Sequence, residues 1–191
     1  MKIKYAEFIK SAFDKSQFIF DDLPQIAFSG RSNCGKSTLI NTLLNRKKLV
    51  KTSSKPGFTK SVNYFLINKI FYLVDLPGFG FAKASKKMQL DWDKLITDFF
   101  RESNKLRGVV HLVDIRRLLT DKDEVLIEFL EYFGIPFLIV LTKSDKLSNN
   151  NIKKSLDILN KKWRIENPIV VSSLKKKGIS ELWEEIETVI E

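Results

Sequence analysis

With 191 residues, of which 43% are hydrophobic and 15 are Phe, the chain has ample apolar material for one buried core and too little length for two ordinary domains, which excludes intrinsic disorder. One cysteine and one histidine exclude an internal disulfide and a Cys/His zinc site, and point to a reducing compartment. The 33 Lys and Arg against 23 Asp and Glu give a net charge of +10, which favours a polyanionic partner such as nucleic acid or the ribosome unless the lysines simply solvate ordinary surface.

The opening stretch MKIKYAEFIKSAFDKSQF is too charged for a signal peptide, and no apolar run reaches membrane-spanning length, so a cytoplasmic protein is expected. Residues 1–23 read as an N-terminal extension packed on a single domain over 24–191. QIAFSG (25–30) is a short buried strand, and GKSTLINTLLN (35–45) places Leu39, Leu43 and Leu44 at helical spacing behind it. RKKLVKTSSKPGFTK (46–60) has no periodicity and reads as a long loop. SVNYFLI (61–67) and IFYLVD (70–75) flank Asn68 and Lys69, which suit a tight antiparallel hairpin. GVVHLVD (108–114), PFLIVLT (136–142) and PIVVSS (168–173) are continuous apolar strands with room for a helix between successive members. Helices are predicted over 121–133, 148–163 and 178–190, with Ser148 and Ser180 as caps, and another helix beyond DLPG carries Trp92. The fold class that follows is α/β with three layers: a mostly parallel sheet of about six strands, one antiparallel hairpin and helices on both faces. Ligands are expected beyond the carboxyl ends of the parallel strands.

Four strand ends carry chemistry. Gly30 to Ser37, GRSNCGKS, matches G-x-x-x-x-G-K-[ST] between a strand and a helix. There the glycines let backbone N–H groups curl around phosphates, Lys36 neutralises β and γ charge, the Ser37 hydroxyl can ligate Mg²⁺, and the helix adds its positive end. Cys34 reads as a packing residue under the loop. At DLPG (75–78), Asp75 can hold Mg²⁺ through water and Gly78 leaves its N–H free for a γ-phosphate. At TKSD (142–145), Asp145 can accept both N1–H and N2–H₂ of guanine, a donor pair that adenine lacks, with the stem of Lys143 over the base. Ser172, Ser173 and Leu174 follow the last strand and can close the base pocket with backbone donors. Thr59, in the long loop, can swing onto Mg²⁺ when a γ-phosphate is present, which makes 46–60 a first switch and Gly78 onward a second. His111 reads as a core histidine, Trp163 and Trp183 as core, and Trp92 as core or partner surface.

GRSNCGKS, DLPG, TKSD and SSLKKKG, in that order, resemble the translation-factor branch of P-loop GTPases with a Ras-like domain. GRSNCGKSTLIN, KPGFTKSVNYF, DLPGFGFAKAS, VDIR, TKSDKL and SSLKKKGISEL narrow the resemblance to the EngB (YihA/YsxC) family of bacterial ribosome-biogenesis GTPases, over nearly the whole chain. The resemblance implies phosphate binding by Gly30, Arg31, Ser32, Asn33, Cys34, Gly35, Lys36, Ser37 and Thr38, with Gly57 beside them. It implies Mg²⁺ ligation by Ser37 and Thr59, with Asp75 acting through water, γ-phosphate sensing by Asp75 and Gly78, and guanine reading by Thr142, Lys143 and Asp145. Lys36, Thr59 and Gly78 are then the catalytic set. Asn33 either caps the loop or gives an oxygen to a K⁺ ion bridging the phosphates, as in similar GTPases. Phe79 stands where many switch GTPases carry the glutamine that orients water, so slow intrinsic hydrolysis is expected. Two positions depart from the family pattern: Phe58, often basic, and Arg117-Leu118, often His-Pro.

The implied partners are GTP and a ribosomal subunit or its rRNA, the large-subunit precursor first, with no membrane anchor and a monomeric state; a link to cell division and septation comes with the family. Lysines at 47, 48, 51, 55, 60, 83, 86, 87 and 175–177 surround the expected nucleotide face. Two alternatives stand beside the hydrolysing switch: a GTP-dependent binding module with negligible hydrolysis, and a P-loop phosphotransferase, against which the TKSD acid and the lack of a lid-like arginine cluster count.

Overall fold

The computed structural model of the chain describes residues 1–50, 61–79 and 86–190. Seven strands form one sheet: β1 (Ala6–Ala12), β2 (Gln25–Gly30), β3 (Val62–Ile67), β4 (Phe71–Asp75), β5 (Leu106–Asp114), β6 (Phe137–Thr142) and β7 (Ile169–Val170), in the order β1-β3-β4-β2-β5-β6-β7. β2 runs parallel to β4 and β5, and β6 is parallel to β5 and β7. β3 is antiparallel to β4, and β1 to β3. The helices are α1 (Lys36–Leu43), α2 (Lys86–Glu102), α3 (Asp121–Tyr132), α4 (Asn149–Trp163) and α5 (Ile179–Ile190). The domain is therefore the expected mixed α/β fold, widened by a seventh strand from the N-terminal segment.

Period-two alternation in β2 feeds two faces of the sheet. Ile26 and Phe28 join Leu39 and Leu43 of α1 and Leu182, Trp183 and Ile186 of α5, whereas Ala27 faces Leu95, Ile96 and Phe99 of α2 and Leu126 and Leu130 of α3. A third cluster packs Leu159 of α4 on Val113, Ile139 and Leu141. Each fully buried Leu or Ile contributes about 2 kcal/mol, so both helical layers hold the sheet firmly.

The hairpin between β3 and β4 turns through Asn68 and Lys69, both left-handed (φ 47 and 62), as a tight antiparallel connection requires. The Asn68 side chain also accepts from the N–H of Lys4 (2.8 Å) and Tyr5 (3.0 Å) and donates to the Lys2 carbonyl (2.9 Å). That clasp delivers the N-terminal segment to the edge of β3, where β1 pairs with a bulge between Phe8 and Lys10. β1 shows no clean alternation, and its signal lay in Asn68, a residue far away in sequence.

Ser148 caps α4, accepting from Asn151 N–H at 3.4 Å. Ser180 does not cap α5, because the helix begins at Ile179 and the Gly178 carbonyl takes its first bond, from Leu182 N–H. Among the described residues no helix is long and apolar enough to cross a membrane.

Candidate functional site

β2, β4, β5 and β6 all end on the same side of the sheet, and the loops that follow them meet there. After Gly30 the chain turns through Arg31–Gly35 before α1 opens at Lys36. A Cβ at Gly30 would lie 2.7 Å from the Leu112 carbonyl oxygen and 2.8 Å from Cys34 Sγ, so only glycine fits there. Asn33 and Gly35 are left-handed (φ 64 and 103) and curl the backbone over. The N–H groups of Asn33, Gly35, Ser37 and Thr38 find no acceptor among the described residues. With the amino end of α1 behind them, they form a ready anion cradle. Cys34 is buried beneath the loop, and burial pushes its thiol up to about 11, so it stays protonated and packs.

Lys36 crosses from α1 to the end of β4, where its ammonium is ion-paired with the Asp75 carboxylate; both side chains are buried. The segment after Asp75 is sewn to the loop: Leu76 N–H donates to Phe28 O (3.0 Å), Ser32 N–H to Phe79 O (2.9 Å) and Phe79 N–H to Gly30 O (3.4 Å). A Cβ at Gly78 would press at 3.4 Å on both Gly30 O and Ser32 N, and the Gly78 N–H has no acceptor among the described residues. A bare amide therefore stands beside the cradle.

At the other end of the loop, Thr142 Oγ1 donates to Cys34 O (2.5 Å) and lies 3.2 Å from Val113 O. Lys143, left-handed at φ 61, sends its ammonium to Asn33 O (2.5 Å) and to Asp114 (3.1 Å). Burial alone would push the Asp114 carboxyl up, but the guanidinium of Arg116 (2.6 Å) and the Lys143 ammonium hold it down at about 2. Asp145 accepts from Ser172 Oγ at 2.7 Å, and that hydrogen bond lowers its pKa. Ser172 Oγ also accepts from Lys175 N–H (3.1 Å), and Ser172 and Lys177 exchange two backbone hydrogen bonds. The loop closes on Gly178, whose φ of 73 and approach to Val170 O leave no room for a side chain. Ser173 is half-buried and Leu174 is exposed on the same loop.

The structure thus gathers Gly30–Thr38, Asp75, Gly78, Thr142, Lys143, Asp145 and Ser172–Leu174 at one end of the sheet. Gly57 and Thr59, with Phe58, Lys51, Lys55, Lys60, Gly80 and Lys83, lie outside the described residues. Asp75 offers carboxylate oxygens and Ser37 a hydroxyl that has no partner among the described residues, donor types that suit a hard cation. No group of three or more His, Cys, Asp or Glu is placed to hold a metal among the described residues.

Three features were not read from the sequence. Asn41, buried in α1, clamps Val50: its Nδ2 donates to Val50 O (2.8 Å) and its Oδ1 accepts from Val50 N–H (2.9 Å). Its signal was a polar residue on the apolar face of GKSTLIN. Thr120 and Asp123 form a reciprocal capping box on α3, legible as T-x-x-D. His111 is a satisfied core histidine as predicted, but its partners Ser29 and Asp123 carry no sequence signature.

A family model described as "50S ribosome-binding GTPase" matches residues 25–143. A protein of Thermoanaerobacter pseudethanolicus named "Probable GTP-binding protein EngB" is 48% identical over 184 residues, covering 95% of this chain and 96% of its own. Proteins of the same name from Caldanaerobacter subterraneus and Clostridioides difficile are 46% and 43% identical, covering 100% and 97% of this chain and 100% and 93% of their own. Among solved structures, a probable GTP-binding protein engB aligns with a TM-score of 0.72 at 27% identity, over 87% of this chain and 98% of that one. Aquifex aeolicus Era bound to GDP·AlF4⁻ shares the fold, with a TM-score of 0.69 at 23% identity over 88% of this chain and 57% of that one.

Proposed function

Because the chain belongs to the EngB family of GTP-binding GTPases, we propose that it is a slowly hydrolysing switch that assists assembly of the large ribosomal subunit. The observation that carries this reading is the convergence of the phosphate cradle, the Lys36–Asp75 pair, the bare Gly78 amide and the Ser172-braced Asp145 at one end of the sheet.

In this reading the N–H groups of the loop bind the phosphates, and Lys36 leaves Asp75 to neutralise β and γ charge. Gly78 N–H orients the γ-phosphate. Asp145 accepts from both guanine donors, Ser172 holds it in place, and the stem of Lys143 covers the base while its head ties Asn33 down. Ser37, Asp75 and Thr59 would hold Mg²⁺, which supplies charge neutralisation at the transferring phosphoryl group. Asn33 is assigned to K⁺; its exposed side chain has no partner among the described residues.

Slow hydrolysis follows from Phe79. Its ring is buried, has no donor or acceptor, and packs against Trp92 and His111, so no side chain at this position orders the attacking water. Turnover near the unassisted scale of about 10⁻⁴ s⁻¹ is expected, with acceleration from the docked partner or K⁺.

The ribosomal partner is supported by the description of the matching family model and by exposed Lys47, Lys48, Lys86, Lys87 and Lys175–Lys177. Era, of the same fold, is known as a complex with MgGDPNP and a segment of 16S ribosomal RNA. We extend the reading to a monomer in the cytoplasm and to the cell-division and septation role that the family resemblance implies. Co-sedimentation with ribosomal subunits in GDP, GTP and a non-hydrolysable analogue tests it: large-subunit binding in the triphosphate states alone is expected, and binding indifferent to nucleotide contradicts it. Turnover measured with and without subunits separates this switch from a GTP-dependent binding module that hydrolyses negligibly.

A further inference from the structure

The Phe79 ring has a specific seat. It lies parallel to the imidazole of His111, with centroids 5.9 Å apart and planes 5° apart, and the Trp92 ring lies at 5.6 Å. Trp92 Nε1 donates to the Pro77 carbonyl at 2.9 Å, so Trp92 contacts both the Phe79 ring and the backbone two residues before it. The His111 ring is fully buried and held at both nitrogens: Nδ1 is 2.8 Å from Ser29 Oγ and Nε2 is 3.0 Å from Asp123 Oδ1. Asp123 is fixed in turn by the Thr120 N–H (2.8 Å) and hydroxyl (2.6 Å) at the start of α3. The Asp123 carboxylate can only accept, so Nε2 donates to it, and every polar atom in the chain of four has a partner.

Ser29 immediately precedes Gly30, the first residue of the phosphate loop, and Phe79 immediately follows Gly78. A ring pinned from β2 and α3 therefore forms the floor under the residue that sets where the Gly78 amide stands. We propose that His111 is a positioning residue for γ-phosphate recognition: the Ser29–His111–Asp123 chain fixes the plane on which Phe79 rests, and so fixes the distance from Gly78 N–H to the cradle. An aliphatic side chain could fill the same volume, but it would give Phe79 no flat, orientated face and would leave Asp123 and Ser29 buried without their partner. The inference rests on the reading that Gly78 N–H meets the γ-phosphate, and it predicts an effect confined to the triphosphate, since GDP makes no use of that amide.

The test compares GTP-analogue and GDP affinities, with Trp92 emission recorded throughout, for the full chain and for Ser29→Ala, His111→Gln and His111→Leu. For His111→Leu, GDP affinity should stay within about twofold of wild type while affinity for the non-hydrolysable GTP analogue falls about tenfold, with an altered Trp92 signal. His111→Gln, which keeps a donor toward Asp123, should recover part of the loss. Ser29→Ala should fold in any case and show a smaller loss of the same kind. Equal losses for GDP and the analogue, or none for either in Ser29→Ala and His111→Gln, would reduce His111 to a packing residue and overturn the proposal. Gly78→Ala separates the two levels. If it lowers the affinity ratio while the His111 and Ser29 variants do not, only the positioning role fails; if it leaves the ratio unchanged, the γ-phosphate reading fails and the positioning role falls with it.

Discussion

The Lys36 ammonium and the Asp75 carboxylate are paired inside the domain, with side chains 9% and 4% exposed, although 39 residues separate them. Removing one partner of such a pair strands the other in a low dielectric, which typically costs about 3–5 kcal/mol. Lys36→Ala should therefore destabilise the nucleotide-free protein by about 3 kcal/mol in urea unfolding and abolish measurable GTP binding. The double variant Lys36→Met, Asp75→Leu should regain most of the stability but none of the binding. If stability and binding return together, the pair has no role in holding phosphate.

Base selectivity should reside in Asp145. Asparagine at this position presents one acceptor and one donor in place of two acceptors, which mismatches guanine and matches xanthine, whose C2 carries an oxygen. Asp145→Asn should weaken GDP binding by about a hundredfold, or about 2.7 kcal/mol, and bring XDP binding up to a comparable strength. Ser172→Ala removes the 2.7 Å brace and should weaken GDP binding without gaining XDP. Paired fluorescence titrations with the two nucleotides read both outcomes.

Asn41 spans the gap between α1 and Val50, where the chain runs into residues 51–60. Asn41→Ala leaves the Val50 N–H and C=O, both well inside the protein, without their partners, so a loss of about 2 kcal/mol is expected. The same substitution should lower affinity for a GTP analogue more than for GDP, because residues 51–60, which include Thr59, follow the released anchor in sequence. Unfolding curves and competition binding check the two parts.

Acid sensitivity should trace in part to Asp114. Its folded pKa, about 2, lies below the ordinary carboxylate value near about 3.9, so the unfolded chain takes up the proton first. The stabilisation is complete above about pH 4 and is lost as pH falls toward 2. Urea midpoints measured from pH 5 down to 2 should fall more steeply for the wild type than for Asp114→Asn, which has no proton to bind. Parallel curves for the two would count against the prediction.

Placing a glutamine at position 79 should not create a fast enzyme. The side chain there occupies a buried seat beside His111 and Trp92. Phe79→Gln should lose stability by about 1–3 kcal/mol, because a polar amide enters an aromatic pocket, and its single-turnover GTP hydrolysis should stay within about threefold of wild type. A large acceleration would mean that residue 79 reaches the γ-phosphate after all.

The chemistry was legible wherever it travels with a short local pattern. GRSNCGKS identifies the phosphate loop because glycine spacing, lysine and hydroxyl are all needed within one turn between a strand and a helix. TKSD and DLPG were legible because each follows a continuous apolar run that can only be a buried strand. Ser180 misled because serine opens many helices, whereas here the helix begins one residue earlier and the Gly178 carbonyl already takes the first helical bond, from Leu182 N–H.

What the amino-acid order determined by itself is the fold class, the order of the site loops and the residue types each presents, because backbone propensity, apolar periodicity and phosphate-binding motifs are local. Only tertiary structure decided which distant partners complete those loops. Asn68 recruits β1 to the sheet edge, Thr142 and Lys143 tie the base end to Cys34 and Asn33, Ser172 braces Asp145, and a buried Ser29–His111–Asp123 chain seats Phe79. These contacts join residues far apart in sequence. They form because a polar group buried by folding must find its partner in whatever the packed sheet and helices bring within hydrogen-bond distance, and no local pattern encodes that meeting.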